Sequence, residues 1–221
     1  MKNIDIKNID CCAALVMTKN VQSGRSMIEM LGVLAIIGVL SVGGIAGYSK
    51  AMQNYRINKT IEQITLIAGN IRAFFASQGN YDGVSCMCGD HSCYGQSNGE
   101  GCPIHKKAKI FPDEMITVTD GKIMSITNPF GGYFWLGGEG KGFHFGLGNV
   151  PEEACIDLFS KDWSDLKITY LCKGGVYNPP VCTTNQGDFD DVLTICNEAE
   201  SAGISFYFEV DSSYIDDVTI L

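Results

Sequence analysis

Three sets of residues in this 221-residue chain have side chains able to do chemistry. One is a lone carboxylate, Glu29, inside a stretch that is otherwise apolar from position 27 to 47. A carboxylate in hydrocarbon costs about 2.5–3.5 kcal/mol on insertion scales, so Glu29 calls for a cationic partner or a place near a helix end. The second set is ten cysteines, and the third is His91, His105 and His144. Cys86, Cys88, Cys93 and Cys102 crowd together with His91 and His105, which raises zinc ligation. Their spacing does not match the paired C-x₂₋₄-C knuckles of zinc sites, and two disulfides fit better. Cys86 and Cys88 are too close in sequence to bridge comfortably. Each is therefore expected to take Cys93 or Cys102, and the spacing leaves open which. Cys172 and Cys182 flank the turn-rich stretch K-G-G-V-Y-N-P-P-V and are expected to pair. His144 stands alone among aromatics and reads as a strand-surface residue rather than a catalytic base. Asp188, Asp190 and Asp191 lack an ordered calcium-ligand pattern and read as a solvated helix start. No histidine has an evident catalytic partner, so neither an enzyme, a metal nor a cofactor is expected.

The elements that must position these residues follow from composition and periodicity. The formal net charge is −9, which argues against nucleic acid as a partner. Glycine is abundant at 26 residues and proline scarce at 6, which suits turn-rich β structure more than disorder. Positions 27–47 make an apolar run of 21 residues. About 20 apolar residues cross roughly 30 Å of hydrocarbon as a helix, the form that satisfies its own backbone. Residues 1–24 carry Lys2, Lys7 and Lys19 and are net positive, and basic flanks stay cytoplasmic. They are not an ordinary secretory signal, because the apolar run lies after them. Cys11 and Cys12 do not suggest a lipoprotein, since no apolar region precedes them. With a membrane-targeting element upstream, the remaining cysteines read as disulfides of an oxidising compartment.

One helix is predicted over 25–77. Past Gly47 its face is expected to bury Tyr48, Met52, Tyr55, Ile61, Ile64, Ala68, Ile71, Phe74 and Phe75, mostly three or four apart. Gln78-Gly79-Asn80 should end it with a glycine C′ signal. Gly43, Gly44 and Gly47 would permit close helix approach or local unwinding. Positions 79–113 read as a cysteine-rich loop. Strands are expected at 115–118, 122–126, 133–136, 143–147, 166–171 and 204–210. Short helices are expected at 151–163, holding Cys155, and at 188–201, holding Cys196.

Gly24, then Arg25-Ser26-Met27-Ile28-Glu29 at the head of an apolar helix, resembles the class III signal of type IV prepilins. The family form is Gly followed by Phe-Thr-Leu-Ile-Glu. Arg25 departs from it, because the mature family chain usually begins with an apolar residue, often N-methylated. Three further features are similar to the type IVb branch. The leader is long, T-N-P-F-G-G at 127–132 is like the turn that starts the central strand, and a cysteine-bearing short helix follows the central hairpin. The helix-breaking proline usual in type IVa pilins is missing.

The resemblance implies an α+β fold: a long N-terminal, partly transmembrane helix packed on a mostly antiparallel β-sheet, with a disulfide-stapled head. It implies three regions: a leader over 1–24, a transmembrane and polymerisation half-helix over 25–50, and a globular head over 51–221. It implies cleavage after Gly24 by a prepilin peptidase, leaving a new α-amine on Arg25. Glu29 of one subunit would then meet the α-amine of its neighbour, a register device during assembly. It also pairs Cys155 with Cys196. The function implied is a structural subunit of an extracellular filament. The subunit is held first in the bacterial inner membrane among lipid, then assembled with copies of itself by inner-membrane pilus machinery. A minor pilin or secretion pseudopilin is the second reading, and a membrane-anchored periplasmic enzyme a distant third.

Overall fold

Between Met27 and Phe75 neither proline nor a charge cluster interrupts helix formation, and the chain runs as one 49-residue helix, α1. The computed structural model describes residues 27–89, 92–94, 102–120, 122–174, 181–185, 187–197, 203–210 and 219–220. The leader, Gly24 and Arg25 lie outside these residues. The chain divides after Gly47 into two compact units, Met1–Gly47 and Tyr48–Leu221.

In the second unit α1 buries Ile57, Thr60, Gln63, Ile64, Ile67, Ala68, Ile71 and Phe75, a stripe repeating every three or four residues. This differs from the expected face. Tyr48, Tyr55 and Phe74 are exposed, at 68 %, 61 % and 36 %. Thr60 and Gln63 take buried places because each is satisfied: Thr60 Oγ1 donates to Arg56 O, and Gln63 Nε2 donates to Glu114 Oε1. The helix stops at Phe75, two residues early, and Gly79 adopts φ +72° in the turn beyond it instead of capping the helix.

The expected cysteine loop is in part regular structure. It contributes β1 (Ser85–Gly89), β2 (Ser92–Tyr94) and α2 (Pro103–Ala108). Two short runs with glycine and cysteine gave no strand periodicity to read, yet β1 pairs with β5 over four positions and so extends the main sheet. A separate hairpin joins β3 (Ile116–Thr119) to β4 (Lys122–Ile126), with a bulge at Thr117/Val118. β5 (Phe134–Glu139) runs on through Gly137 and Gly138, and β6 (Gly142–Leu147) returns beside it. Next come α3 (Glu152–Phe159), β7 (Ile168–Lys173), β8 (Val181–Thr184), α4 (Phe189–Cys196), β9 (Ile204–Phe208) and β10 (Thr219–Ile220). Both short helices are thus shorter among the described residues than expected.

Eight strands form one sheet in the order β10-β8-β7-β9-β6-β5-β1-β2. Its pairings are antiparallel except β10 on β8, which is parallel. On one face Phe134, Phe143, Phe145, Phe206 and Phe208 are essentially sealed from solvent and share a cluster with the buried stripe of α1. Phe143 and Phe208, paired across β6 and β9, stack at 4.5 Å and 7°. The opposite face alternates as a pleated strand must. There Trp135 lies over Gly146, its cross-strand partner, so closely that any Cβ at position 146 would overlap the indole.

Candidate assembly segment

Every residue of α1 from Met27 to Lys50 is exposed in the single chain. Met27 is 85 % exposed and Leu40 69 %. The segment is apolar on all sides, with a mean hydropathy of 2.2 in its most apolar window, and none of that window is buried. A helix hydrophobic all round belongs in lipid or inside protein, because water leaves it with no favourable face. Gly32, Gly38, Gly43, Gly44 and Gly47 have nothing within 4 Å of where a Cβ would sit. They leave flat patches on which a second helix can approach closely. Glu29 falls in the first turn of the described helix, where the positive end of the helix dipole favours a carboxylate.

The second half of α1 is fastened to the head by a few polar contacts that periodicity did not flag. Arg72 Nε donates to Glu209 Oε1 at 3.0 Å, just past β9, and its Nη2 donates to Leu166 O. Its guanidinium also lies over the rings of Phe143 and Phe208, at 5.8 and 5.7 Å. Delocalised charge and a planar fork let one arginine serve carboxylate, carbonyl and ring together. More than three turns before it, Lys59 Nζ reaches Glu114 at 2.8 Å and Glu62 at 3.1 Å. The Glu114 hydrogen bond, then that to Glu62, pushes the Lys59 ammonium up to about 12, and Lys59 holds the Glu114 carboxyl below its ordinary range. The raised lysine favours folding below its unfolded value of 10.5 and the lowered carboxyl above 4.5, so the latch stands throughout neutral pH.

The central turn is built on Asn128, buried at 4 % exposure. Its Nδ2 donates to Gly148 O at 2.8 Å and Tyr133 O at 3.3 Å, and its Oδ1 accepts from the amides of Phe130 and Gly132. The proline after it disfavours helix at Asn128, and the side chain then organises the turn. A Cβ at Gly132 would collide with Gly148 O, so glycine is required there.

The structure joins Cys155 on α3 to Cys196 on α4, Cys172 to Cys182 across β7 and β8, and Cys86 on β1 to Cys102 at the start of α2. Cys88 and Cys93 face one another in the β1–β2 register. His144 is not the plain surface residue expected. It stacks on Tyr207 at 4.9 Å and lies above Gly137, and burial pushes its imidazole down to about 4. His105 accepts a hydrogen bond from Phe111 N at 3.1 Å, and burial lowers it too. His91 lies outside the described residues.

No family model matches the chain. Two curated relatives, each described as "Major structural subunit of bundle-forming pilus", come from Escherichia coli O127:H6 (strain E2348/69 / EPEC) and Escherichia coli O111:H-. Each is 24 % identical over 147 residues, 65 % of this chain and 66 % of the relative, so the match spans just under two thirds of their length. By those descriptions the relatives are structural subunits. Architecture agrees with the match, since a long N-terminal apolar helix is combined with an antiparallel sheet and a disulfide-stapled head. The chain therefore resembles type IV pilins, most like their type IVb branch.

Proposed function

We propose that this protein is the structural subunit of a type IV pilus-type extracellular filament. It is made as a prepilin, cut after Gly24 by a prepilin peptidase on the cytoplasmic side, and assembled through residues 25–50. The observation that carries this reading is the all-round apolar, wholly exposed first half of α1 with one acid, Glu29, in its first turn. Lipid covers that surface in the inner-membrane precursor, and neighbouring subunits cover it in the fibre. The α-amine freed on Arg25 has a reference pKa of about 7.7–8.0 and is largely cationic at neutral pH. Set against Glu29 of the next subunit in a low-dielectric core, it makes a pair that is costly to misplace, which sets axial register. The 1–24 leader, the 25–50 assembly half and the 51–221 head then have separate jobs: targeting, polymerisation and surface. The description of the relatives as a major structural subunit supports the filament reading over a sparse secretion component.

N-terminal sequencing and intact mass of filaments sheared from cells test it. The expected species starts at Arg25, is abundant, and contains no free thiol. A chain cut after Gly24 but confined to the membrane fraction supports a pseudopilin instead. An uncut chain beginning at Met1 or Lys2 defeats the reading.

A further inference from the structure

Six cysteines of the head are sealed by the fold. Cys155, Cys196, Cys172 and Cys182 are 0 % exposed, and Cys86 and Cys102 are 3 % exposed. Reduction proceeds by attack of a thiolate on a disulfide sulfur, so a bond inside the core is reached only when its surroundings open. Cys88 and Cys93 are placed differently. They stand opposite one another in the β1–β2 register. Among the described residues β2 ends the eight-stranded sheet and pairs there with β1 alone, over three positions. β1 is held on its other edge by β5, where Cys88 is opposite Phe134. β2 can therefore leave while β1, β5 and the core behind them stay paired. Opening at the rim of a sheet lies at the low end of the free-energy range of local unfolding.

We infer that Cys88 and Cys93 form a reversible redox latch, a disulfide that exchanges while the head stays folded. Its making fastens β2 and its breaking frees it. The co-reactant is a dithiol reductant, small or protein-borne. One of its thiolates attacks a sulfur of the pair and forms a mixed disulfide, and its second thiol resolves that bond. The pair gains two electrons and two protons and becomes two thiols, while the reductant becomes a disulfide. The head survives the step. The bond closes a shorter loop than the sequence separations of 10, 16 and 41 bridged elsewhere, and loop length sets how much a disulfide contributes. The C-x-C spacing adds a second property. Cys86 and Cys88 are two apart on β1 and so share a face of the strand. A Cys88 thiolate deprived of Cys93 is a neighbour of the Cys86–Cys102 bond. Its attack on the Cys102 sulfur forms Cys88–Cys102 and releases Cys86 as the thiolate. Cys93 thus guards the sealed bond by occupying Cys88. The inference concerns the head alone and does not depend on the filament reading.

The test uses the full-length chain, folded in detergent, in buffers of graded reduced and oxidised dithiothreitol. Samples are quenched with an alkylating agent and peptide-mapped. Cys88 and Cys93 are expected to take label together, about tenfold or more faster than any sealed pair, because rim opening needs far less free energy than core opening. Amide hydrogen exchange over 92–94 should rise in the same samples while 134–139 and 142–147 stay protected, and reoxidation should restore it. Cys93→Ser should yield a Cys88–Cys102 peptide and label at Cys86. Cys88→Ser should leave Cys86–Cys102 intact, since Cys93 is not on β1. Reduction of Cys88–Cys93 in step with the sealed bonds overturns the inference, as do free thiols at both positions before any reductant is added. Selective reduction with unchanged exchange over 92–94 also overturns it, because the bond then fastens nothing. An intact Cys86–Cys102 bond in Cys93→Ser removes the guarding role of Cys93.

Discussion

Arg72 shows how much one side chain settles when its neighbours come from distant parts of the chain. It ties α1 to Glu209 and to the Leu166 carbonyl while shielding two phenylalanine rings. The pair is about a quarter exposed on each side, so its loss should fall between that of a surface pair and that of a buried one. Arg72→Ala is expected to cost roughly 2 kcal/mol of head stability, read from denaturant unfolding of the full chain in detergent. Asn128→Ala removes four hydrogen bonds from a buried turn and should cost about 2–3 kcal/mol by the same measurement. Asn128→Asp should also fail there, since a carboxylate cannot donate to Gly148 O. His144 predicts a pH dependence. Its folded pKa, about 4, lies below the unfolded 6.5, so the folded state favours the neutral ring. That contribution is complete above pH 6.5 and fades as pH falls through 4. The melting temperature should therefore drop across this window, by the equivalent of about 3 kcal/mol, and His144→Phe should flatten the slope. An equally steep acid limb in the variant would assign the drop to other groups, His105 first.

At the scale of elements, the disulfides link pieces that share little other structure. Cys155–Cys196 clamps two eight-residue helices across a sequence separation of 41. Helices so short are marginal alone, and closing a loop of that size is worth about 4 kcal/mol in the chain-entropy model. Replacing both cysteines with serine should destabilise the head by about 2–4 kcal/mol and make it sensitive to added protease. With Cys86 taken by Cys102, the facing register positions of Cys88 and Cys93 make them the expected fourth pair. Non-reducing peptide mapping checks this: a linked Cys88–Cys93 peptide is expected, and free thiols at both positions would refute it. Sheet glycines belong to the same scale. Gly146 accommodates the Trp135 indole, so Gly146→Ala should push the indole off β6 and shift its fluorescence to the red as water reaches it.

At the scale of the whole molecule, the two halves of α1 answer to different solvents. One half is packed against its own head, while the other is apolar and exposed in the single chain. Substitutions in the first half should therefore spare the fold and, on the proposed filament reading, abolish assembly. Glu29→Ala is expected to give normal head stability, normal membrane insertion and no sheared filaments, by electron microscopy of cells. Filaments of ordinary abundance in that variant would remove Glu29 from the assembly reaction.

The sequence alone determined the features that are local or periodic. A 21-residue apolar run, an acid five positions after a glycine, and alternation around a turn are legible because each depends on neighbours within a few residues. The strands over 122–126, 143–147 and 204–210, the long helix, and the T-N-P-F-G-G turn were readable for that reason. Tertiary structure alone decided what depended on partners far along the chain. Ser85–Gly89 became a strand because β5 offered it an edge, not because its residues favour one. Gln63 took a place on the buried face of α1 because Glu114, 51 residues further along the chain, accepts from it. The His144 imidazole is pushed below its ordinary range because the pleat of β6 turned it onto Tyr207 and Gly137, where it is buried. Burial of a polar side chain costs little once a partner is in place, and which partner arrives is a property of the fold.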